Sequence, residues 1–473
     1  MLNVAETGNE MRKKIIVIGI YGILLCIFFL TLVEVTTLIG YHNFFTAGEL
    51  FAWITANPNE TTDIAQYCLR FILPYYIVCS LTFLLIGWGL ARLIKQNKTI
   101  IAGSIVLLLL LPFVIPFSPA NIFQEGYYVW RQIRNIRQHQ NDNVNFMYNA
   151  TRLHTPGHKE IYILAIGESL RYKNLSLNGN YARETTPLLR QQNNLCLYSD
   201  YYANATLTQH ALPMMLTGVT PEHFEEHFGR KTIATAFSEA GFKTTLVSHR
   251  AQLMNNGYHN YLAKDFDTII YVQHDSLIAQ EIAALAKKNE KLFAATHYLG
   301  NHLAYTNRTE DSLVWRPDYN ADPTIKNDSA LLNAYDNSLL YTDRMLSEAI
   351  ESLQEAKCIA AWLLVSDHGE YINGNVCGHG FSYTPQIDEY HVPLVVWYSD
   401  KYKEAYPEKV ANLIKHKDAP VCADYVFWSV LDMANIQIDS TLQQDGMSVF
   451  EEQLKDEERT LLLPNGEISI TLQ

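Results

Sequence analysis

The chain has 473 residues, more than one average domain, and is 48% hydrophobic but only 18% charged, an apolar balance for a water-soluble protein. Its formal net charge of −13, with no lysine-arginine cluster of useful size, argues against a nucleic-acid partner, because phosphate backbones are bound by basic patches. The seven cysteines are scattered, with no CxxC pair and no zinc-ribbon spacing.

The first third reads as membrane. Residues 15–33 form an uncharged apolar run preceded by Arg12, Lys13 and Lys14. Residues 71–91 form a second, followed by Arg92, Lys95 and Lys98, and residues 99–118 a third, with Pro112 and Pro116 near its far end. Each is about 20 residues, long enough to cross roughly 30 Å of hydrocarbon. No small-residue cleavage site follows the first run, so it is expected to stay as an anchor rather than leave as a signal peptide. The basic flanks lie at the N-terminus and between the second and third runs, whereas the loop 34–66 carries Glu49, Glu60 and Asp63. The positive-inside bias then puts everything after Ser118 on the outer face, periplasmic in a bacterium. Residues 44–53 are too short to span and suit an interfacial helix. Residues 126–130, with Arg131, Arg134 and Arg137 at helical spacing, suit a second helix lying on the headgroups; an ordinary polar linker fits that stretch equally. The expected organisation is a transmembrane part over 1–120, an interfacial helix and linker over 121–158, and a catalytic domain over 159–473.

From Glu160 onward strands and helices alternate. Residues 161–166, 242–247, 267–272, 292–296, 359–365 and 392–397 are short apolar runs that read as strands. Helical spacing covers 232–240, which stops at Gly241, then 277–288, 330–356, 402–415 and 423–433. Buried strands separated by helices predict an α/β fold with a mostly parallel central sheet covered on both faces, in which ligands collect at the carboxyl ends of the strands.

Those ends carry metal- or phosphate-binding groups. The first strand ends in Glu168; 292–296 leads into His297 and His302; 359–365 ends in Ser366, Asp367 and His368, followed by Gly378-His379-Gly380. Carboxylate and imidazole together suit a divalent metal. Taken singly each has a plain structural explanation, Glu168 as a helix cap and His297 as a buried histidine; their coincidence at several strand ends points to one site. A hydroxyl nucleophile is available in residues 204–218, where Thr206 and Thr208 both precede a short helix and on position alone both also suit an N-cap.

With these residues in view the chain resembles the lipid A phosphoethanolamine transferases, membrane-anchored members of the alkaline phosphatase and sulfatase superfamily. The likeness runs from about Ile161 to the C-terminus. It rests on Gly167-Glu-Ser-Leu-Arg171, on Leu175-Ser-Leu-Asn-Gly179 with Arg183-Glu-Thr-Thr-Pro187, and on Thr208-x-x-x-Leu-Pro213. Further along come Thr296-His-x-x-Gly-Asn-His302, Tyr335-Asp-Asn-Ser-x-x-Tyr-x-Asp343, Ser366-Asp-His-Gly-Glu370 with Gly378-His-Gly380, and Val392-Pro-x-x-x-Trp397.

The resemblance implies zinc ligands at Glu168, Asp367 and His368, with Thr208 as nucleophile and fourth ligand. It implies that His302 and His379 stand near the transferred phosphoryl group, where a second zinc can also bind. It further implies phosphatidylethanolamine as donor, lipid A or another envelope glycan as acceptor, a monomer, and a multi-pass inner-membrane protein with a periplasmic catalytic domain. The chain departs from the family at the disulfide that commonly brackets the nucleophile, for those places hold Asn204 and Met214. Its count of three spans is also lower than usual. Alternatives with the same machinery are a phosphoglycerol transferase of the lipoteichoic acid synthase type and a membrane-anchored phosphohydrolase or sulfatase. The Cys/Ser-x-Pro-x-Arg context that sulfatases need is absent at Thr208. A tethered binding protein without catalysis is the third alternative, and the complete set of competent residues argues against it.

Overall fold

The computed structural model describes scattered positions between residues 22 and 85 and then residues 119–470, apart from 140–141, 143, 250–259, 310–313, 319–328, 375, 381–383 and 457. The apolar run 99–118 lies outside the described residues, and most of the runs 15–33 and 71–91 does too. Among the described residues no helix is long and apolar enough to cross a membrane. The chain divides into two compact units, residues 1–129 without 55–57, and residues 130–473 with 55–57.

In the first unit the short run expected at 44–53 is helix α1, Ala47–Thr55. It starts where it does because Thr46 and Glu49 form a reciprocal capping pair: Thr46 N donates to Glu49 Oε2 at 2.8 Å and Glu49 N to Thr46 Oγ1 at 3.4 Å. Helix α2, Pro119–His139, leaves Trp130, Arg131, Arg134 and Arg137 exposed.

The second unit is built on a seven-stranded sheet. Its strands are β1 (Glu160–Gly167), β2 (Leu195–Leu197), β3 (Lys243–Ser248), β4 (Thr268–Tyr271), β5 (Lys291–His297), β6 (Ile359–Ser366) and β7 (Leu394–Tyr398). Their spatial order is β2-β7-β6-β1-β5-β3-β4. β6, β1, β5, β3 and β4 run parallel, while β7 pairs antiparallel with both β6 and β2. Every residue of β1 and β6 is buried, which explains why they read as unbroken apolar runs rather than alternating ones. Ile161, Ile163 and Ala165 of β1 join the core beneath helices α5 (Ser276–Lys288) and α6 (Ala330–Glu355). Tyr162 turns the other way, against Phe237 of α4 (Ile233–Glu239) and Tyr402. On that second face lies α3, Thr208–Thr217, packed on α7, Asp424–Met433.

Register decides where the chemistry falls. Gly167 of β1 lies opposite Ser366 of β6, and Ile166 lies opposite His297 of β5. Glu168 and Asp367, each the next residue after its strand, therefore emerge side by side at the carboxyl edge, with His297 beside them. The last strand begins at Leu394 rather than Val392, and its reversed direction was not expected. Because it is antiparallel, the residues that precede it, 386–391, also reach this edge. The backbone records the result: Gly369 N donates to Glu389 O at 2.7 Å and Glu370 N to Asp388 O at 3.1 Å.

Candidate phosphotransfer site

Four expected residues meet in one buried cluster. Thr208 is the first residue of α3, and its hydroxyl donates to Asp367 Oδ2 at 2.7 Å. Of the two threonines open to the role on position, Thr208 is the one turned to the carboxylates. Its Oγ1 lies 3.5 Å from His368 Nε2, which is 3.3 Å from Glu168 Oε1 and 3.4 Å from Asp367 Oδ2. Glu168, Asp367 and His368 are fully buried.

The donors are held from behind. Asp367 Oδ1 accepts from the backbone N–H of His368 at 2.8 Å and of Ser169 at 3.4 Å, leaving Oδ2 to Thr208. His368 Nδ1 donates to Gly369 O at 2.8 Å, which leaves Nε2 facing the carboxylates. Ser169 Oγ donates to Glu168 Oε1 at 3.1 Å. Ser366 Oγ links the two strand ends, accepting from Leu170 N at 2.9 Å and donating to His368 O at 2.8 Å.

The cluster calls for positive charge. Burial alone would depress the His368 imidazolium, yet Asp367 and Glu168 more than reverse this and push it up to about 10. Two carboxylates, one imidazole nitrogen with its second nitrogen anchored, and one hydroxyl form a donor set that suits zinc. The donor chemistry fits, and Glu168, Thr208, Asp367 and His368 are the residues that would hold it.

His379 and His302 border this cluster. The His379 ring lies over that of His368, 3.8 Å between centroids and 31° between planes, and His302 is 6.4 Å from His379. A ring nitrogen of His379 lies within 4.8 Å of donor atoms of Glu168 and His368. The same distance holds for His297 with Glu168 and Asp367, so the strand-end histidine with a plain structural explanation is part of the cluster. Gly380 has φ +68°, a left-handed conformation that favours glycine, and it lies against the Leu207 side chain just before Thr208. A Cβ on Gly369 would run into the backbone of Asp388, so glycine lets this strand end lie against the segment before β7.

Helix α6 ties the site loops together, a role the motif did not reveal. The Tyr335 hydroxyl donates to Ser169 O at 2.7 Å and accepts from Arg171 N at 2.9 Å. Asp336 accepts from Asn174, Tyr181 and Arg183 at 2.9, 2.6 and 2.6 Å. Asp343 accepts from Leu188 N and Leu189 N at 2.8 and 2.9 Å. Thr342 donates to Asn301 Oδ1 at 2.9 Å. The loop to His302 is shaped from its other side by buried Asp275, which accepts from Leu299 N, Gly300 N and His249 Nδ1 at 3.0, 2.9 and 2.9 Å. Burial would raise the Asp275 carboxyl, and these donors hold it below its usual range.

Asn204 and Met214 flank Thr208 in the chain. Asn204 Nδ2 donates to Thr460 O at 2.8 Å, Leu462 N donates to Asn204 O at 2.7 Å, and Met214 is buried. Cys196, Cys358, Cys377 and Cys422 are buried and unbridged. Asn204, four residues before Thr208, is thus tied to the strand Thr460–Leu462.

A parallel-centred sheet with one reversed strand, flanked by helices and carrying a threonine-carboxylate-histidine cluster at its carboxyl edge, is an α/β domain of the alkaline phosphatase type. Residues 160–436 match the Sulfatase family, and the chain belongs to it. Among curated proteins it is similar to Kdo(2)-lipid A phosphoethanolamine 7''-transferase of Escherichia coli K12, 26% identical over 324 residues, covering 63% of this chain and 55% of that protein. It is also similar to phosphoethanolamine transferase EptA of Helicobacter pylori, 28% identical over 298 residues, covering 59% and 54%. The chain spans about half the length of these curated relatives. Among solved structures, lipooligosaccharide phosphoethanolamine transferase A of Neisseria meningitidis, an integral membrane protein, superposes with TM-score 0.64 at 19% identity, covering 90% of this chain and 86% of that one. The C-terminal periplasmic domain of E. coli EptC superposes with TM-score 0.60 at 21% identity, covering 67% and 93%. At these identities the two structures establish the fold.

Proposed function

We propose that this chain is a membrane-anchored enzyme that moves phosphoethanolamine from phosphatidylethanolamine to lipid A or another envelope glycan. The transfer runs through a phosphothreonine at Thr208, on the periplasmic side of a bacterial inner membrane. The observation that carries the reading is the Thr208 hydroxyl donating to Asp367 inside a buried set of carboxylates and imidazole. The similarity to proteins named as phosphoethanolamine transferases supports the group transferred, and the first of them is named for a Kdo(2)-lipid A acceptor. The exposed Trp130, Arg131, Arg134 and Arg137 on α2 suit a helix resting on phospholipid headgroups.

A zinc complex of the E. coli EptC periplasmic domain supports the choice of metal. Glu168, Asp367, His368 and Thr208 would hold a zinc ion, which would supply a Lewis acid at the threonine oxygen. Thr208 Oγ1 then forms a bond to the donor phosphorus as the bond from phosphorus to the diacylglycerol oxygen breaks. In the second step an acceptor oxygen bonds to phosphorus and Thr208 Oγ1 leaves. Splitting the displacement in two keeps each step within reach of one activated oxygen. His302 and His379 offer imidazole groups to the phosphoryl oxygens and to the departing alcohol. Asp367 aims the Thr208 hydroxyl.

Mass spectrometry of envelope glycolipids from cells with and without the gene tests this. Phosphoethanolamine-bearing species are expected only with the gene. Vesicles of phosphatidylethanolamine against phosphatidylglycerol as sole donor separate the proposal from phosphoglycerol transfer. Unchanged glycolipids, or release of ethanolamine phosphate regardless of acceptor, would overturn it.

A further inference from the structure

Glu370 has no part in the reading above, yet it is a fully buried carboxylate two residues beyond His368. A buried charge is costly unless it is paired and hydrogen-bonded, so what Glu370 binds shows what it is for. Its Oε2 accepts from His379 Nδ1 at 2.8 Å and its Oε1 from the Tyr305 hydroxyl at 2.7 Å. Tyr305 is itself fully buried and packs edge-on against Tyr335, 5.2 Å between centroids at 84°. The Tyr335 hydroxyl is in turn fixed on Ser169 O. Neither Tyr305 nor the carboxylate has room to swing. The main chain at this point does not need the carboxylate, because Gly369 and Glu370 are already bonded through their backbone N–H groups to Glu389 and Asp388.

An imidazole whose Nδ1 donates to a carboxylate has one tautomer and one ring orientation, and it presents Nε2 as an acceptor. His379, stacked on His368 at the mouth of the cluster, is the ring for which that choice matters. A ring flip would turn an N–H, rather than a lone pair, toward the reacting group. We infer that Glu370, held in place by Tyr305, is the positioning residue of His379, setting its tautomer and aiming the Nε2 lone pair at the acceptor hydroxyl whose oxygen attacks the phosphorus on Thr208 and whose proton Nε2 takes up. The inference rests on the phosphotransfer reading and adds residues to it.

The test uses the full-length zinc-loaded chain with phosphatidylethanolamine as donor, in Glu370→Gln, Tyr305→Phe, His379→Asn and the double Glu370→Gln/His379→Asn. Glu370→Gln is expected to lower kcat by about 10–100-fold with KM and zinc content nearly unchanged, and Tyr305→Phe by a smaller factor in the same direction. The double variant is expected to be no slower than His379→Asn alone. Histidine-selective nitrogen NMR should show His379 as the Nδ1–H tautomer in the wild type and a mixture in Glu370→Gln. A double variant slower than His379→Asn by the full Glu370 factor, or an unchanged tautomer in Glu370→Gln, overturns the inference. If Glu370→Gln fails to fold, Tyr305→Phe decides by the same two readouts. If the wild type transfers no phosphoethanolamine, the parent reading fails, and the tautomer measurement still decides the role of Glu370.

Discussion

Replacing Thr208 by Ala separates chemistry from architecture at the centre of the site. Thr208 is 7% exposed, opens α3, and commits its hydroxyl to Asp367. Losing a hydrogen bond to a charged acceptor costs about 1.5–3 kcal/mol, and the higher helix propensity of alanine returns about 0.5 kcal/mol. The net loss, about 1–2.5 kcal/mol, corresponds to a Tm shift of only a few degrees in a domain of this size. Glu168, Asp367 and His368 remain, so zinc content should stay largely intact. Turnover has no such reserve, because the proposed attacking oxygen is gone; a fall of roughly 10⁴-fold or more is expected. Thr208→Ser keeps the oxygen and loses one buried methyl, worth about 0.8 kcal/mol, and should retain activity within about tenfold. The assay is transfer of labelled phosphoethanolamine from vesicles, with peptide mass spectrometry for the adduct after a quench without acceptor. Wild-type rates in Thr208→Ala, or an adduct on another residue, would refute the reasoning.

Three further outcomes are expected. Arg152 pairs bidentately with fully buried Glu160, at 2.8 and 2.7 Å, so Arg152→Met should destabilise by about 3–5 kcal/mol in denaturant titration, and a loss below about 1 kcal/mol would show the pair to be dispensable. Burial pushes the Asp343 carboxyl up to about 7, above its unfolded value, so its contribution to stability is complete below about pH 4 and lost as pH rises through 7. Asp343→Asn should therefore flatten the fall in Tm between about pH 4 and 7, and parallel curves for variant and wild type would contradict the assignment. Stripping the metal with a chelator should abolish transfer and lower Tm, with both restored by zinc; activity that survives complete removal would exclude the metal role.

The sequence carried the local half of this protein. Unbroken apolar runs such as 161–166 and 359–365 state that a strand is buried on both faces, and the polar residues that stop them state where its edge lies. Glu168, Asp367, His368, Thr208, His302 and His379 were legible because each sits beside such a boundary or within a segment of the family likeness. The tertiary structure decided what depends on pairing between distant segments. The reversal of β7, and with it the arrival of 386–391 at the site edge, is set by which strand β7 pairs with, and an apolar run carries no direction. His297 joins the cluster only because β5 pairs with β1 in a register that places it opposite Ile166. Tyr305 and Glu370 are 65 residues apart and have no shared pattern; a buried carboxylate selects its partners through three-dimensional proximity. Periodicity and strand ends are properties of a few neighbouring residues, whereas register, strand direction and the pairing of buried charges are properties of the whole sheet.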